Sequence, residues 1–366
     1  MPSAQAQPAT AAARDGRVTL VDTDIHPMML APALEARLSE RWWRHYRDIG
    51  VRVAPPPAIY PRVRNSGYRV DAWPEGGFPG SDLGLLRRQL LDEHDVQYGT
   101  LNPLQGQVWG AESPELAAAL CTALNDWIVD EWLDPEPRLL ASLCVPFEHP
   151  DLAVREIARR AGDPRFVQVL LPASMEAPLG NRRYWTIYAA AVEAGLPVAI
   201  HTGGIEQHRG AGWPSYYLEE HVWNGNVMAA GTIGMVCEGV FEELPDLRVV
   251  LQETGISWAA ATMWALDSAW EMLREEVPHL SREPSAYFRE HFWFTTQPIE
   301  EPEEPEHLAR VFEHMGMGDH IMFATDYPHW DFDSPKQALP RSLSKHLKAA
   351  ILAGNACRLY GLPRDA

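Results

Sequence analysis

The feature of this sequence that most restricts its fold is an alternation. Short apolar runs rich in β-branched residues are separated by longer stretches of helical period, the pattern of strands and crossover helices wound around a parallel sheet. Eight runs read as strands, at 18–21, 99–102, 141–146, 167–171, 197–201, 248–253, 292–296 and 320–325. Helical stretches lie at 114–132, 152–161, 182–194, 227–243, 257–271, 305–315 and 341–360. In the first, Leu116, Ala119, Leu120, Ala123, Leu124, Trp127 and Ile128 recur at three and four residues, so one stripe faces the sheet. Pro114 sits near its start, where a missing N–H costs nothing. The pattern predicts an α/β fold, a (β/α)8 TIM barrel. Residues ~40–90 and ~203–226 break the repeat and read as insertions after strands one and five. Both leave strand C-termini, where the loops of such a barrel build its active site.

A chain of 366 residues, 46% of them hydrophobic, fills one such barrel better than two average domains. A single domain over 16–366 is expected, behind a disordered tail at 1–15 rich in Ala and Pro. The tail lacks the basic start and apolar run of a signal peptide, and no later stretch reaches ~18 uninterrupted apolar residues, so a soluble cytoplasmic protein is expected. A net charge of −19 argues against nucleic acid and anionic membranes as partners. The only lysines, Lys336, Lys345 and Lys348, lie in the last tenth of the chain, which removes lysine chemistry from the rest. Cys121, Cys144, Cys237 and Cys357 are far apart and read as reduced thiols rather than a zinc knuckle or disulfide framework.

The strand ends carry the chemistry. The first runs into Asp22-Thr23-Asp24-Ile25-His26, and side chains two apart share a face of a strand, so Asp24 and His26 point the same way, with Asp22 one step earlier. The fifth ends in His201, the sixth in Glu253, and the eighth delivers Asp326 and then His329. A single histidine closing a strand is more often structural, and a single Glu there serves equally to cap the next helix. Four apolar strands ending in such residues converge on one barrel face, and imidazole with carboxylate is the donor set of Zn, Mn or Fe.

This pattern resembles the amidohydrolase superfamily, in the amidohydrolase-related branch that includes aminocarboxymuconate semialdehyde decarboxylase and γ-resorcylate decarboxylase. The resemblance runs from about Leu20 to Leu362. It covers the opening D-x-H, the step His201-Thr202-Gly203-Gly204, the stretch 239–247, the step from Ala324 to His329 and the closing 354–362. It implies that Asp24, His26, His201 and Asp326 are metal ligands. A catalytic His of those decarboxylases falls on Glu253, a departure from their residue set. Strand four offers no Lys, which excludes the carbamate-bridged two-metal centre at that place.

The principal expectation is a metal-dependent hydrolase of a small organic, cyclic or aromatic substrate, in which Asp326 takes a proton from a water activated by the divalent metal. The alternatives are a decarboxylase of an aromatic or unsaturated acid, a dinuclear iron or manganese hydroxylase that activates oxygen, and a metal-binding but silent partner subunit. One metal is expected and a second is allowed, with Glu253, His329 and Asp331 as its candidate ligands. Catalytic candidates are Asp326, Glu253 and His221, the last as a proton shuttle in the lid. Trp109 and Tyr217 are candidate substrate contacts, and Trp42, Trp43, Tyr46 and Trp73 further pocket aromatics. The exposed aromatic lid and Trp-rich insertions suggest a homodimer or an oligomer with a related subunit.

Overall fold

The computed structural model describes residues 18–48, 63–204 and 214–364. Eight strands form one sheet in sequence order: β1 (Val21–Ile25), β2 (Tyr98–Leu101), β3 (Leu139–Cys144), β4 (Phe166–Ser174), β5 (Val198–Gly204), β6 (Val249–Gln252), β7 (Phe292–Thr295) and β8 (Ile321–Met322). Every neighbouring pair is parallel. The barrel closes where the chain beyond β8 bonds to β1: Thr23 N donates to Phe323 O at 3.0 Å, Asp326 N to Asp24 O at 3.1 Å and His26 N to Tyr327 O at 2.8 Å. Closure thus ties the two segments that carry the Asp24/His26 and Asp326 side chains. The strands are buried along almost their whole length, which is why they read as continuous apolar runs rather than as alternating ones.

The helices are α1 (Ala31–Glu35), α2 (Glu40–Asp48), α3 (Leu83–Leu86), α4 (Gln105–Trp109), α5 (Pro114–Ile128), α6 (Pro150–Arg160), α7 (Trp185–Glu193), α8 (Tyr217–Cys237), α9 (Val240–Glu243), α10 (Trp258–Leu273), α11 (Pro284–His291), α12 (Glu306–Met315), α13 (Lys345–Ala349) and α14 (Asn355–Tyr360). The insertion after β1 contains the short helices α1 to α3, and its residues 49–62 lie outside the described residues. So does the tail expected at 1–15, and so do 205–213 of the second insertion.

The largest difference from the sequence reading is α8. It begins at Tyr217 rather than 227, so residues 217–226, expected in a loop, are helical. The Glu219 carboxylate accepts the backbone N–H groups of Ser215 and Tyr216 at 2.7 and 2.8 Å, satisfying donors at the helix start. The helix expected over 227–243 is divided into α8 and α9 by Gly239, which takes φ +79. β1 begins three residues later than expected, and β8 is reduced to two residues because the chain after it leaves its ladder for the contacts with β1. No described helix is long and apolar enough to cross a membrane.

A polar layer inside the barrel supports its C-terminal end. Asn102, just after β2, donates through Nδ2 to Thr23 O at 3.1 Å and to Asp24 Oδ1 at 2.7 Å. Ser142 donates to Asn102 Oδ1, Gln168 Nε2 to Ser142 Oγ at 2.8 Å, and Gln252 Nε2 to Thr23 O at 3.0 Å. These bonds satisfy groups whose burial would otherwise be costly, and they fix Asp24 from behind.

Candidate metal centre

The strand ends bring Asp24, His26, His201 and Asp326 together, as expected. His26 Nε2 lies 2.7 Å from Asp326 Oδ1 and 3.3 Å from Asp24 Oδ1, and His201 Nε2 lies 3.4 Å from Asp24 Oδ2. The four side chains are essentially buried, none more than 4% exposed. Glu253 joins them, with Oε2 3.5 Å from His201 Nε2. His329 Nδ1 lies 2.6 Å from Asp326 Oδ1 and 3.7 Å from Glu253 Oε1. The donor atoms form two groups that share His26: Asp24, His26 and His201 in one, and His26, Glu253, Asp326 and His329 in the other.

The hydrogen bonds to the histidines decide what the cluster can hold. His26 Nδ1 faces Asn102 O at 2.9 Å and His201 Nδ1 faces Thr202 O at 2.9 Å. A carbonyl only accepts, so both Nδ1 atoms carry protons and both Nε2 atoms turn toward carboxylates. Asp24 Oδ2, His26 Nε2, His201 Nε2 and Asp326 Oδ2 are buried without a well-directed hydrogen bond among the described residues. Neutral imidazoles would set lone pairs against anionic oxygens there. A divalent cation resolves that conflict, and two imidazole nitrogens with two carboxylates are a donor set that suits one, with each imidazole oriented by a carbonyl behind it.

The protein's own charges show the same tension. Burial disfavours the charged form of His26, but Asp24 and Asp326 outweigh it and raise its pKa to about 10. Burial opposes ionisation of Asp326, and His329 and His26 overcome it to hold that carboxyl well below the carboxylate range. Glu253 goes the other way: burial, reinforced by the charge of Asp326, pushes it up to about 8. Glu253 and Asp326 take φ +61 and +59, the left-handed region that costs an ordinary side chain of order 1–3 kcal/mol each. That both strand-end carboxylates adopt it marks the face as built for geometry rather than for stability.

Asp22 shares the face of Asp24 but stays out of the cluster. Its carboxylate accepts Asp24 N at 3.2 Å and Thr325 N at 3.0 Å, together with the Thr325 hydroxyl, bracing the ends of β1 and β8. Asn102 and Thr202, whose hydroxyl donates to Glu253, belong to the site and were not singled out from the sequence. Their signal was position alone, a polar residue just past an apolar strand.

The remaining candidates divide. His221 lies outside the donor groups, with Nε2 3.4 Å from Asp331 Oδ2, its ring stacked on Tyr217 at 5.7 Å and tilted against Trp330 at 6.0 Å. Tyr217 accepts from Trp330 Nε1 at 3.3 Å. Asp331 is thus near His221 rather than among the donors grouped around Glu253. Tyr68 of the first insertion packs on His329 at 5.2 Å and carries Trp73 and Phe78 behind it, so that insertion does cover the cluster. Trp109 is 4% exposed and meets Tyr46 edge-on at 6.5 Å within the hydrophobic core.

Comparison with known proteins follows the same lines. The sequence profile described as Amidohydrolase matches residues 21–362. The γ-resorcylate decarboxylase of Polaromonas sp. (strain JS666 / ATCC BAA-500) is 24% identical over 82% of this chain and 94% of its own length. Among solved structures, the 5-carboxyvanillate decarboxylase of Sphingomonas paucimobilis superposes with a TM-score of 0.70 at 20% identity, covering 94% of this chain and 100% of that one. The dihydroxybenzoic acid decarboxylase of Polaromonas sp. JS666, with bound manganese and the inhibitor 2-nitroresorcinol, gives 0.66 at 19% identity over 95% and 97%.

Proposed function

The chain belongs to the amidohydrolase family, and from that membership we propose that it is a metal-dependent decarboxylase of a small hydroxylated aromatic acid. The observation that carries the metal is the buried set Asp24, His26, His201 and Asp326, each with one donor atom that lacks a well-directed hydrogen bond among the described residues. The principal expectation from sequence was hydrolysis. The relatives aligned over most of the chain are decarboxylases and favour the alternative instead.

Asp24, His26, His201 and Asp326 would hold a divalent cation, which would supply positive charge to an anionic substrate at this cluster. Asp24, fixed by Asn102, and His26 and His201, fixed by backbone carbonyls, hold the ligand geometry. Glu253 is the candidate acid. Its position beside His201 and His329, with the Thr202 hydroxyl bonded to one oxygen, suits delivery of a proton to the ring carbon that bears the carboxylate. The carbon–carbon bond then breaks, its electron pair returns to the ring, and carbon dioxide leaves. His221 and Asp331 are candidates for returning the proton from solvent, and Tyr217 with Trp330 for contact with the ring. Trp109 retains its candidacy as a substrate contact only through movement of the packing around it, because its indole is buried.

The test is to load the protein with Mn²⁺, supply 2,6-dihydroxybenzoate and 5-carboxyvanillate separately, and follow carbon dioxide and the decarboxylated phenol. In deuterated water the product acquires one deuterium at the former carboxylate position. Absence of carbon dioxide from both acids, with metal bound, counts against the reading for this substrate class.

The second reading, an oxygen-activating two-metal centre, is favoured by one observation: the donors fall into two groups that share His26. Two metal equivalents per chain including iron, with oxygen consumed on turnover, would select it. Exposed Trp264, Met272 and Leu273 on α10 support an assembly with a second copy or a related subunit, which light scattering at micromolar concentration checks.

A further inference from the structure

Gln107 is a feature of this end of the barrel that neither the donor cluster nor the packing explains. It lies in α4 and is 6% exposed, yet its Nε2 has no hydrogen-bond partner among the described residues. An unpaired buried amide donor is uncommon, because it gives up hydration for nothing in the protein. The backbone around it is shaped to bring it there. A Cβ on Gly106 would come 2.5 Å from Cys144 Sγ at the end of β3, and one on Gly110 would run into Phe147, so the two glycines let α4 press onto the strand ends. α4 packs against β4 and β5. At β5, Gly203 takes φ +104, and a Cβ there would come 2.5 Å from Gln107 Oε1. Gly203 is two residues beyond His201 and next to Thr202, whose hydroxyl bonds Glu253. Three glycines therefore seat an unsatisfied amide beside the strand end that carries His201.

We infer that Gln107 is a substrate-binding residue, its Nε2 donating a hydrogen bond to a hydroxyl or carboxylate oxygen of the aromatic acid held at the donor cluster. The inference rests on the proposed function and adds a selectivity to it. A ring with an oxygen substituent facing β5 satisfies the amide. A ring with only hydrogen there leaves it unpaired in a drier site, and such analogues are penalised more than the lost contact alone suggests.

The experiment uses full-length, Mn²⁺-loaded wild type, Gln107→Met and Gln107→Glu. Binding of 2,6-dihydroxybenzoate and 2-hydroxybenzoate is measured by calorimetry, KM and kcat on whichever acid turns over, and the thermal midpoint without ligand. Gln107→Met should bind 2,6-dihydroxybenzoate at least ~10-fold more weakly, with KM rising and the midpoint little changed, since the lost Nε2 has no partner among the described residues. Gln107→Glu should bind it more weakly still, because a carboxylate faces an anion. Wild-type binding that both variants preserve overturns the inference alone, whether or not the midpoint falls; a fall would assign Gln107 to packing. A wild type that binds neither acid removes the functional reading, and the inference with it.

Discussion

Glu136 and Glu253 are both largely buried carboxylates, one just ahead of β3 and the other just past β6, and they sit in opposite surroundings. Glu136 accepts from Arg138 Nε and Nη2 at 2.8 and 2.9 Å and from Arg87 Nε at 2.7 Å. Burial opposes its charge, but the two guanidinium groups prevail and bring its pKa down to about 2. Glu253 has imidazoles at 3.5 and 3.7 Å and the Asp326 carboxylate nearby, no arginine paired with it among the described residues, and a left-handed backbone. Ahead of two strands the chain pairs an acid with arginine: Glu136 before β3, and the part-exposed Asp163 with Arg165 before β4. At the C-termini it gathers acids and imidazoles whose needs conflict until something binds. In a barrel of this kind the first end serves stability and the second chemistry.

The strongest test of that contrast is Asp326→Asn. Losing a ligand and a charge at once should cut turnover by about 10³-fold or more and lower bound metal, as read by carbon dioxide release and elemental mass spectrometry. The thermal midpoint of the metal-free variant should fall modestly, because the substitution removes the carboxylate that His26 and His329 hold in its charged form. A clear fall in that midpoint with activity retained would move Asp326 into the structural class with Glu136.

Glu253→Gln comes next, with an expected loss of at least ~100-fold in turnover and an intact fold. Metal analysis separates the two readings of this residue. Unchanged stoichiometry supports proton transfer at a single-metal site, and loss of one equivalent supports the two-metal centre. Full activity would leave Glu253 a structural carboxylate bonded to the Thr202 hydroxyl; it does not cap α10, because the N–H groups at the start of that helix, from Ile256 and Ser257, go to Glu300.

At the other end, Glu136→Gln should leave turnover per folded molecule unchanged and destabilise the fold. Arg87 and Arg138 are 35% and 24% exposed, so solvent screens the pair and the loss is of order 1–3 kcal/mol, a few degrees in midpoint. Its pH dependence has a definite sign. A carboxyl whose folded pKa is depressed to about 2 contributes its stability above the unfolded value, ~4.3, and loses it as pH falls toward 2. The gap between wild type and variant should therefore be widest near neutrality and close in acid.

What the sequence made legible follows the same division. The barrel and the convergence of Asp24, His26, His201 and Asp326 were readable because each strand is a continuous apolar run, so a terminal Asp or His stands out as a polar group that burial would penalise. Asn102, Thr202 and Gln107 were not, because a neutral polar residue past a strand end is ordinary and only the fold shows which buried donor or carbonyl it meets. The start of α8 was missed because Glu219 stands four residues after Ser215 and three after Tyr216, so the Ser-x-x-Glu spacing that announces a helix start is displaced by one. Asp22 was grouped with Asp24 by strand alternation, which gives the face but not the partner. Thr325 takes its carboxylate.

The smallest expected effect is at His221, where the two ends of the comparison meet in one residue. Its ring is 23% exposed and touches Tyr217 and Trp330, which is what a surface histidine does when it packs, while its Nε2 faces an Asp331 oxygen that is buried without a directed hydrogen bond, which is what the donor cluster does. Among the described residues its contacts are Tyr217 on its own helix and Trp330 and Asp331 on the loop after β8. If His221 relays protons through Asp331, His221→Gln should lower kcat by on the order of tenfold and leave metal content and midpoint unchanged. If it only supports the aromatic roof, KM rises and kcat holds, because Gln preserves most of the volume. Steady-state kinetics on wild type and variant distinguishes these outcomes, and the second would withdraw His221 from the catalytic residues while leaving the donor cluster and Glu253 untouched.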